Sequence, residues 1–229
     1  ESPNSLDNVK IEFDVEGAKK AINIFGKVDR ADILEDNIRI VDYKTSKNDI
    51  DTNKVRAGLQ LQLIIYASAL EELLEKENKG LLYQQITTRD MKISYINEDN
   101  MYETAYKNKY QKMQGLIVSD GIEELYNMDK TLENTNNSNI IPVRLKKDGT
   151  PDSYSKVIAN NDYKELKEDA KNAVIDLSKN ILKGNVDIYP SKYYVTPKIQ
   201  EKACRFCDYE SICKFGKQNK YRIINKNNE

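Results

Sequence analysis

Between residues 9 and 16 polar and apolar side chains alternate, with Ile11, Phe13 and Val15 on one face, and a period of two predicts a β-strand. Residues 21–34 predict a second strand. Glu35-Asp36-Asn37 has the composition of a tight turn, and residues 38–43 read as the returning strand of a hairpin. Thr45, Ser46 and Lys47 then open a polar loop. From residue 55 to residue 79 the period changes. Leu59, Leu63, Tyr66, Leu70, Leu73 and Leu74 recur near helical spacing, which predicts one long helix stopped by Gly80. Further strands are expected at 81–86 and 91–96. Residues 101–151, rich in Asn, Tyr and charge, follow no period and are read as an insertion of mixed structure. A second helix is expected to start at Asn161 or Asp162, to bury Leu166, Ala170, Ala173, Val174, Leu177 and Ile181, and to end at Gly184. There is no internal repeat. Three strands, a helix and then a further strand predict an α/β fold with a mixed central β-sheet flanked by helices.

With 229 residues, 39% of them hydrophobic and 32% charged, the chain can bury a core of its own. We expect one domain over 1–229, with a core at 9–100 and 160–190, an insertion at 101–159 and a C-terminal cysteine-bearing segment at 191–229. The chain opens on Glu1 without a start methionine and is expected to be a piece of a longer protein. No apolar run reaches the roughly 20 residues that cross a bilayer, so a cytoplasmic location without membrane contact is expected. The formal net charge is −1 and the pI about 5.9. No bulk positive field therefore draws the chain to nucleic acid, and a local groove or a partner must supply much of any grip. Histidine is absent, which excludes Ser-His-Asp and Cys-His catalysis and every histidine-containing zinc site. Gly26-Lys27 is followed by Val28 where a Walker A motif needs Ser or Thr, so no ATP site of that kind is expected.

The chemistry-bearing stretches are Gly26-Lys27-Val28-Asp29-Arg30 and Ile40-Val41-Asp42-Tyr43-Lys44. On adjacent antiparallel strands they can bring Asp29 and Asp42 to one sheet edge. Asp42 and Lys44 share a face there, and Val41 and Tyr43 take the other. Two carboxylates suit a hard divalent cation that also takes water and phosphate oxygens, and an ammonium beside them suits phosphodiester hydrolysis. Lys44 could orient the attacking water, help remove its proton, or stabilise charge growing on phosphorus. An acid-x-Lys triplet alone also fits a solvent-facing strand with an ion pair worth ~0.5 kcal/mol. Asp29 in its Gly-x-x-Asp-Arg setting strengthens the catalytic reading, as do Gln62 and Tyr66. These two stand four apart, on one face of the expected helix.

In order and spacing, Gly26 to Arg30, Asp42-Tyr43-Lys44 and Gln62-Leu63-Ile64-Ile65-Tyr66 resemble the motifs of RecB-like nucleases in the PD-(D/E)XK superfamily. The resemblance implies a restriction-endonuclease-like core with magnesium, or manganese in its place, on Asp29 and Asp42, and with the Tyr43 carbonyl as a further ligand. It also implies that Lys44 is catalytic and that Gln62 and Tyr66 are accessory active-site residues. Many relatives carry an upstream histidine ligand, which this chain lacks.

Cys204, Cys207 and Cys213 form a C-x2-C-x5-C cluster before a basic tail containing Lys214, Lys217, Lys220, Arg222 and Lys226. Clustered cysteines without histidine favour an all-thiolate zinc site or an iron–sulfur cluster, and each takes four ligands where three are present. The chain resembles AddB-type subunits of bacterial helicase–nuclease complexes, a likeness that takes in Gly115 to Asp120 and residues 140–149. For them the resemblance implies a fourth cysteine far upstream and a [4Fe–4S] cluster, incomplete or absent in this chain. It further implies a helicase partner of AddA type, single-stranded DNA unwound from a duplex as substrate, and processing of double-strand breaks. Compact CRISPR-associated nucleases share the motifs but fit the stretch 101–151 less well. The contrasting expectation is a non-enzymatic, cluster-clasped binding module. Such a degenerate core should have lost Asp42 or Lys44, and both are present.

Overall fold

A computed structural model describes residues 5–86, 112–194, 200–216 and 220–224. The chain divides into two compact units. One comprises Glu1–Asp7, Gly26–Ile50 and Tyr66–Lys164, and the other Asn8–Phe25, Asp51–Ile65 and Glu165–Glu229.

The first unit is built on a five-stranded mixed sheet in the order β3-β4-β5-β6-β7. Its strands are β3 (Arg30–Leu34), β4 (Asn37–Lys44), β5 (Glu77–Gln85), β6 (Gln114–Val118) and β7 (Val157–Ile158). β3 and β4 are antiparallel, with Arg30 opposite Val41 and Leu34 opposite Asn37. Two residues, Glu35 and Asp36, turn the chain between them, with Glu35 at a φ of 49°. β4 and β5 are parallel, with Asp42 opposite Tyr83 and Lys44 opposite Gln85. Strand β4 is buried on both faces: Ile38 and Ile40 on one, Val41 on the other, each at most 1% exposed. Val41, Leu82 and Ile117 pack with Met113, Leu125, Leu132, Ile141, Val143 and Leu145 into one core. Helices α3 (Ile122–Met128) and α4 (Leu132–Thr135) contribute the two leucines at 125 and 132.

The second unit takes most of a β1–β2 hairpin (Ser5–Val15 and Ala18–Lys27), α1 (Thr52–Arg56) and most of α5 (Asn160–Leu182). It also holds a three-stranded sheet in the order β10-β8-β9, from Arg222–Ile224, Ser191–Tyr194 and Gln200–Lys202. Arg222 ties this sheet inward, donating to Ser191 Oγ at 2.6 Å and to the Ala57 carbonyl at 2.9 Å.

Several expectations are corrected. The strand expected over 21–34 breaks at Val28 and Asp29, so β2 and β3 belong to different sheets. Val28 is buried there and the chain bends at Asp29. The single helix expected over 55–79 is three elements. Gly58, at a φ of +73°, separates α1 from α2 (Gln62–Leu74), and Glu75, at +53°, ends α2. Residues 77–79 open β5, because pairing with β4 buries Asn78 and Lys79, and Gly80 lies inside that strand. Gln60 precedes α2 and accepts from the Asp51 backbone N–H at 2.9 Å, next to the N-cap of α1. Within the stretch expected as an insertion, β6 stands between β5 and β7 and its neighbours supply core residues. On α5, Leu166 and Ala170 are buried as expected, whereas Leu177 and Ile181 are 43% and 75% exposed; the apolar stripe outruns what covers it. The strand expected at 91–96, Lys217 and Lys226 lie outside the described residues. Among the described residues no helix is long and apolar enough to cross a membrane.

Candidate active site

Strand β4 ends in Val41-Asp42-Tyr43-Lys44, and alternation along it sends Asp42 and Lys44 to one face and Val41 and Tyr43 to the other. Asp42 is only 5% exposed. Lys44 leans back over it, with Nζ 2.6 Å from Asp42 Oδ2, and keeps a third of its side chain in solvent. This is the ion pair that an acid-x-Lys strand forms by itself. Asp29 is what makes the site more than that.

β3 starts at Arg30, opposite Val41, so on that edge β4 runs beyond its partner. Asp29, at the bend just before β3, takes the vacated position: its Oδ2 accepts from the Tyr43 backbone N–H at 3.0 Å. The carboxylate of Asp29 therefore lies against the peptide that joins Asp42 to Tyr43. A residue's N–H and C=O point to the same edge of a strand, so the Tyr43 carbonyl also faces the side where β3 has ended. Two carboxylates and a carbonyl at one sheet edge are hard oxygen donors of the kind a magnesium ion takes together with water and phosphate. Arg30, the last residue of the first motif, is committed elsewhere. It grips Asp32 with two hydrogen bonds of 2.6 and 3.0 Å and also bonds Tyr43; the two contacts raise its pKa.

Tyr66 is brought to the start of the first motif. A methyl group at Gly26 would fall 2.5–2.7 Å from the Tyr66 ring and hydroxyl, so the glycine is what lets the ring sit there. Gln62 opens α2 and belongs to the second unit.

Two further residues act at this site and were not singled out in the sequence. Tyr83 stands beside Asp42 in the parallel register, 7% exposed, with Lys44 Nζ 5.8 Å from its ring centroid. Burial first, then the negative charges of Asp42 and Asp49, push the Tyr83 phenol up to about 12. Asp49 is the second residue, close enough for its charge to reach that phenol. Neither was legible before the β4–β5 register was known. A cleft of about 330 Å³ opens on the face of β4 opposite Asp42, lined by Arg39, Lys79, Glu124 and Met128. Its cations are engaged by carboxylates, Arg39 with Asp32 at 2.7 Å and Lys79 with Glu124 at 3.0 Å, so the chemistry stays with the acidic pair.

Cys204 and Cys207 flank a 3-10 turn (Ala203–Phe206), and Cys213 ends α6 (Glu210–Cys213). Cys204 and Cys213 are half-buried and Cys207 is exposed. Burial, then the neighbouring Cys207 and Cys213, raise the Cys204 thiol pKa. Among the described residues no three His, Cys, Asp or Glu side chains are grouped to hold a metal ion. The thiols present therefore do not by themselves fit a four-iron cluster, whereas the β4 edge offers two carboxylates and a backbone oxygen.

The family model of the PD-(D/E)XK nuclease superfamily matches residues 1–214. Curated relatives are second subunits of ATP-dependent helicase/deoxyribonucleases. That of Thermoanaerobacter sp. (strain X514) is 34% identical over 222 residues, covering 91% of this chain and 18% of that protein. The protein of the same name from Clostridioides difficile (strain 630) is 34% identical over 223 residues, 91% of this chain and 19% of its own length. That of Lysinibacillus sphaericus (strain C3-41) is 35% identical over 236 residues, 93% and 19%. The chain thus spans about a fifth of the length of these curated relatives.

Proposed function

The chain belongs to the PD-(D/E)XK nuclease superfamily, and from that premise we propose that its β4 edge hydrolyses DNA phosphodiesters with Asp29, Asp42 and Lys44. The observation that carries this reading is the convergence of the Asp29 carboxylate on the Tyr43 N–H beside the Asp42–Lys44 pair. Asp29, Asp42 and the Tyr43 carbonyl would hold a magnesium ion, with manganese able to replace it. When bound, such an ion polarises the phosphate and makes a water acidic enough to attack. Asp42, nearly buried, holds its carboxylate still. Lys44 reaches from it toward solvent and puts a positive charge where a phosphate oxygen would dock. Tyr66, packed on Gly26, and Gln62 one helical turn before it on α2 act as accessory groups.

The shared name of the relatives supports a place for this chain as the nuclease part of a helicase–nuclease complex. There it would cut single strands unwound by a helicase subunit of AddA type, during repair of double-strand breaks by recombination in the cytoplasm. A net charge of −1 fits that arrangement, because the helicase delivers the DNA and local Lys and Arg need only guide the phosphates. Cutting is then independent of sequence. In the intact protein Cys204, Cys207 and Cys213 would serve a [4Fe–4S] cluster with a fourth thiolate from elsewhere.

The test is magnesium-dependent cleavage of single-stranded DNA by the wild-type chain and by Asp42→Ala. We expect Asp42→Ala to lose at least about a hundredfold in rate. Wild type that does not cut, alone or with a helicase partner, refutes the enzyme. Asp42→Ala that cuts like wild type refutes the site.

A further inference from the structure

We propose that Tyr83 is a positioning residue for this hydrolysis, holding the Lys44 ammonium in place with the face of its ring. The inference rests on the function proposed above and adds a residue to it that none of the motifs contains. Parallel pairing sets Tyr83 beside Asp42 on the neighbouring strand, so both side chains rise from the same face of the sheet. Lys44, two residues along β4, rises from that face too. Its Nζ lies 2.6 Å from Asp42 Oδ2 and 5.8 Å from the Tyr83 centroid, within the ~6 Å over which a cation is drawn to an aromatic face.

A lysine ammonium is a compact, strongly hydrated charge on a flexible four-carbon stem, so its position is set by what it touches. Two anchors define it here, a carboxylate and a ring. Asp42 is also a proposed ligand of the divalent ion, so its oxygens have a second claim on them. The ring has none. Tyr83 is 7% exposed and sits on a central strand of the sheet, whereas a third of Lys44 meets solvent. The arrangement is a fixed wall beside a solvent-facing cation. Because the face of the ring is the part that acts, phenylalanine should serve as well as tyrosine, and an aliphatic side chain should not.

The test compares Tyr83→Phe and Tyr83→Leu in the wild-type chain and in a Lys44→Met background. Cleavage of single-stranded DNA with magnesium gives kcat and KM for each. Tyr83→Leu should lower kcat about tenfold and leave KM within about twofold, and Tyr83→Phe should stay within about twofold of wild type. Without Lys44, Tyr83→Leu should cost nothing more, since a residue acting through another has no effect once that other is gone. A second readout needs no turnover. In protein labelled with 13C-lysine, the Lys44 ε-methylene signal, assigned by its loss in Lys44→Met, should be displaced upfield by the ring in wild type and Tyr83→Phe. In Tyr83→Leu it should return to an ordinary position. No displacement in wild type overturns the proposal. So does a Tyr83→Leu enzyme as fast as wild type, or a tenfold loss that persists without Lys44. If no variant cuts and the displacement still follows the ring, the hydrolytic reading fails while the hold of Tyr83 on Lys44 stands.

Discussion

Asp32 accepts from two guanidiniums, Arg30 at 2.6 Å and Arg39 at 2.7 Å, and so braces the strand that carries the first motif against its neighbour. Burial pushes the Asp32 carboxyl up, but the two arginines outweigh it and hold the pKa below the ordinary carboxylate value. A carboxyl lowered in the folded state stabilises the fold above its unfolded pKa, near 4, and that stability is lost as pH falls through the folded value. Asp32→Asn should therefore be less stable than wild type at pH 7, and the gap should close in acid. Urea unfolding at a series of pH values checks this, and a gap that stays constant down to pH 2 would exclude the charge as its origin. Arg30 illustrates the limit of motif reading at this scale. In the sequence it stands next to Asp29 as a candidate phosphate contact, and in the fold its guanidinium serves Asp32 and Tyr43. Asp42 and Lys44 were legible because alternation along a strand is local. Tyr83 was not, because nothing local marks which residue of β5 will stand beside Asp42.

Elements announced by short-range pattern were the readable ones: the strand that contains Phe13, the Glu35-Asp36 turn and the strand through Asp42. The long helix expected after Val55 misled because Leu59 to Leu74 keep helical spacing straight across the break that follows Gly58. What decides the break is backbone conformation at Gly58 and, further on, the burial of Asn78 and Lys79 by strand pairing that only the assembled sheet provides. β6 was hidden for a similar reason. Its five residues lie in a stretch of polar and irregular composition, and they join the sheet through β5. The contact between α2 and the end of β2 gives the glycine of the first motif its purpose. Gly26→Ala should cost roughly 1–3 kcal/mol, because a methyl group there meets the Tyr66 ring. The same change made on top of Tyr66→Ala should cost less than about 0.5 kcal/mol. Denaturant unfolding of the four proteins reads this directly, and strictly additive costs would mean that the ring is not what Gly26 accommodates.

For the whole molecule, 36 cationic against 37 anionic residues leave little long-range attraction for DNA, and three cysteines leave a four-iron cluster one thiolate short. Purified under anaerobic conditions, the chain should hold iron and sulfide well below the roughly four of each that a full cluster carries. Full occupancy in a monomer, measured by iron and acid-labile sulfide analysis, would contradict that reading. The parallel pairing of β4 with β5 reaches further still. Parallel neighbours need a crossover between them, and here α1 and α2 intervene before Tyr83 can stand next to Asp42. A nascent chain leaving the ribosome thus displays both aspartates well before β5 has been synthesised. Until that strand docks, the surrounding nucleic acid meets an isolated hairpin with no wall beside its lysine, and the cutting centre arises only when the sheet closes.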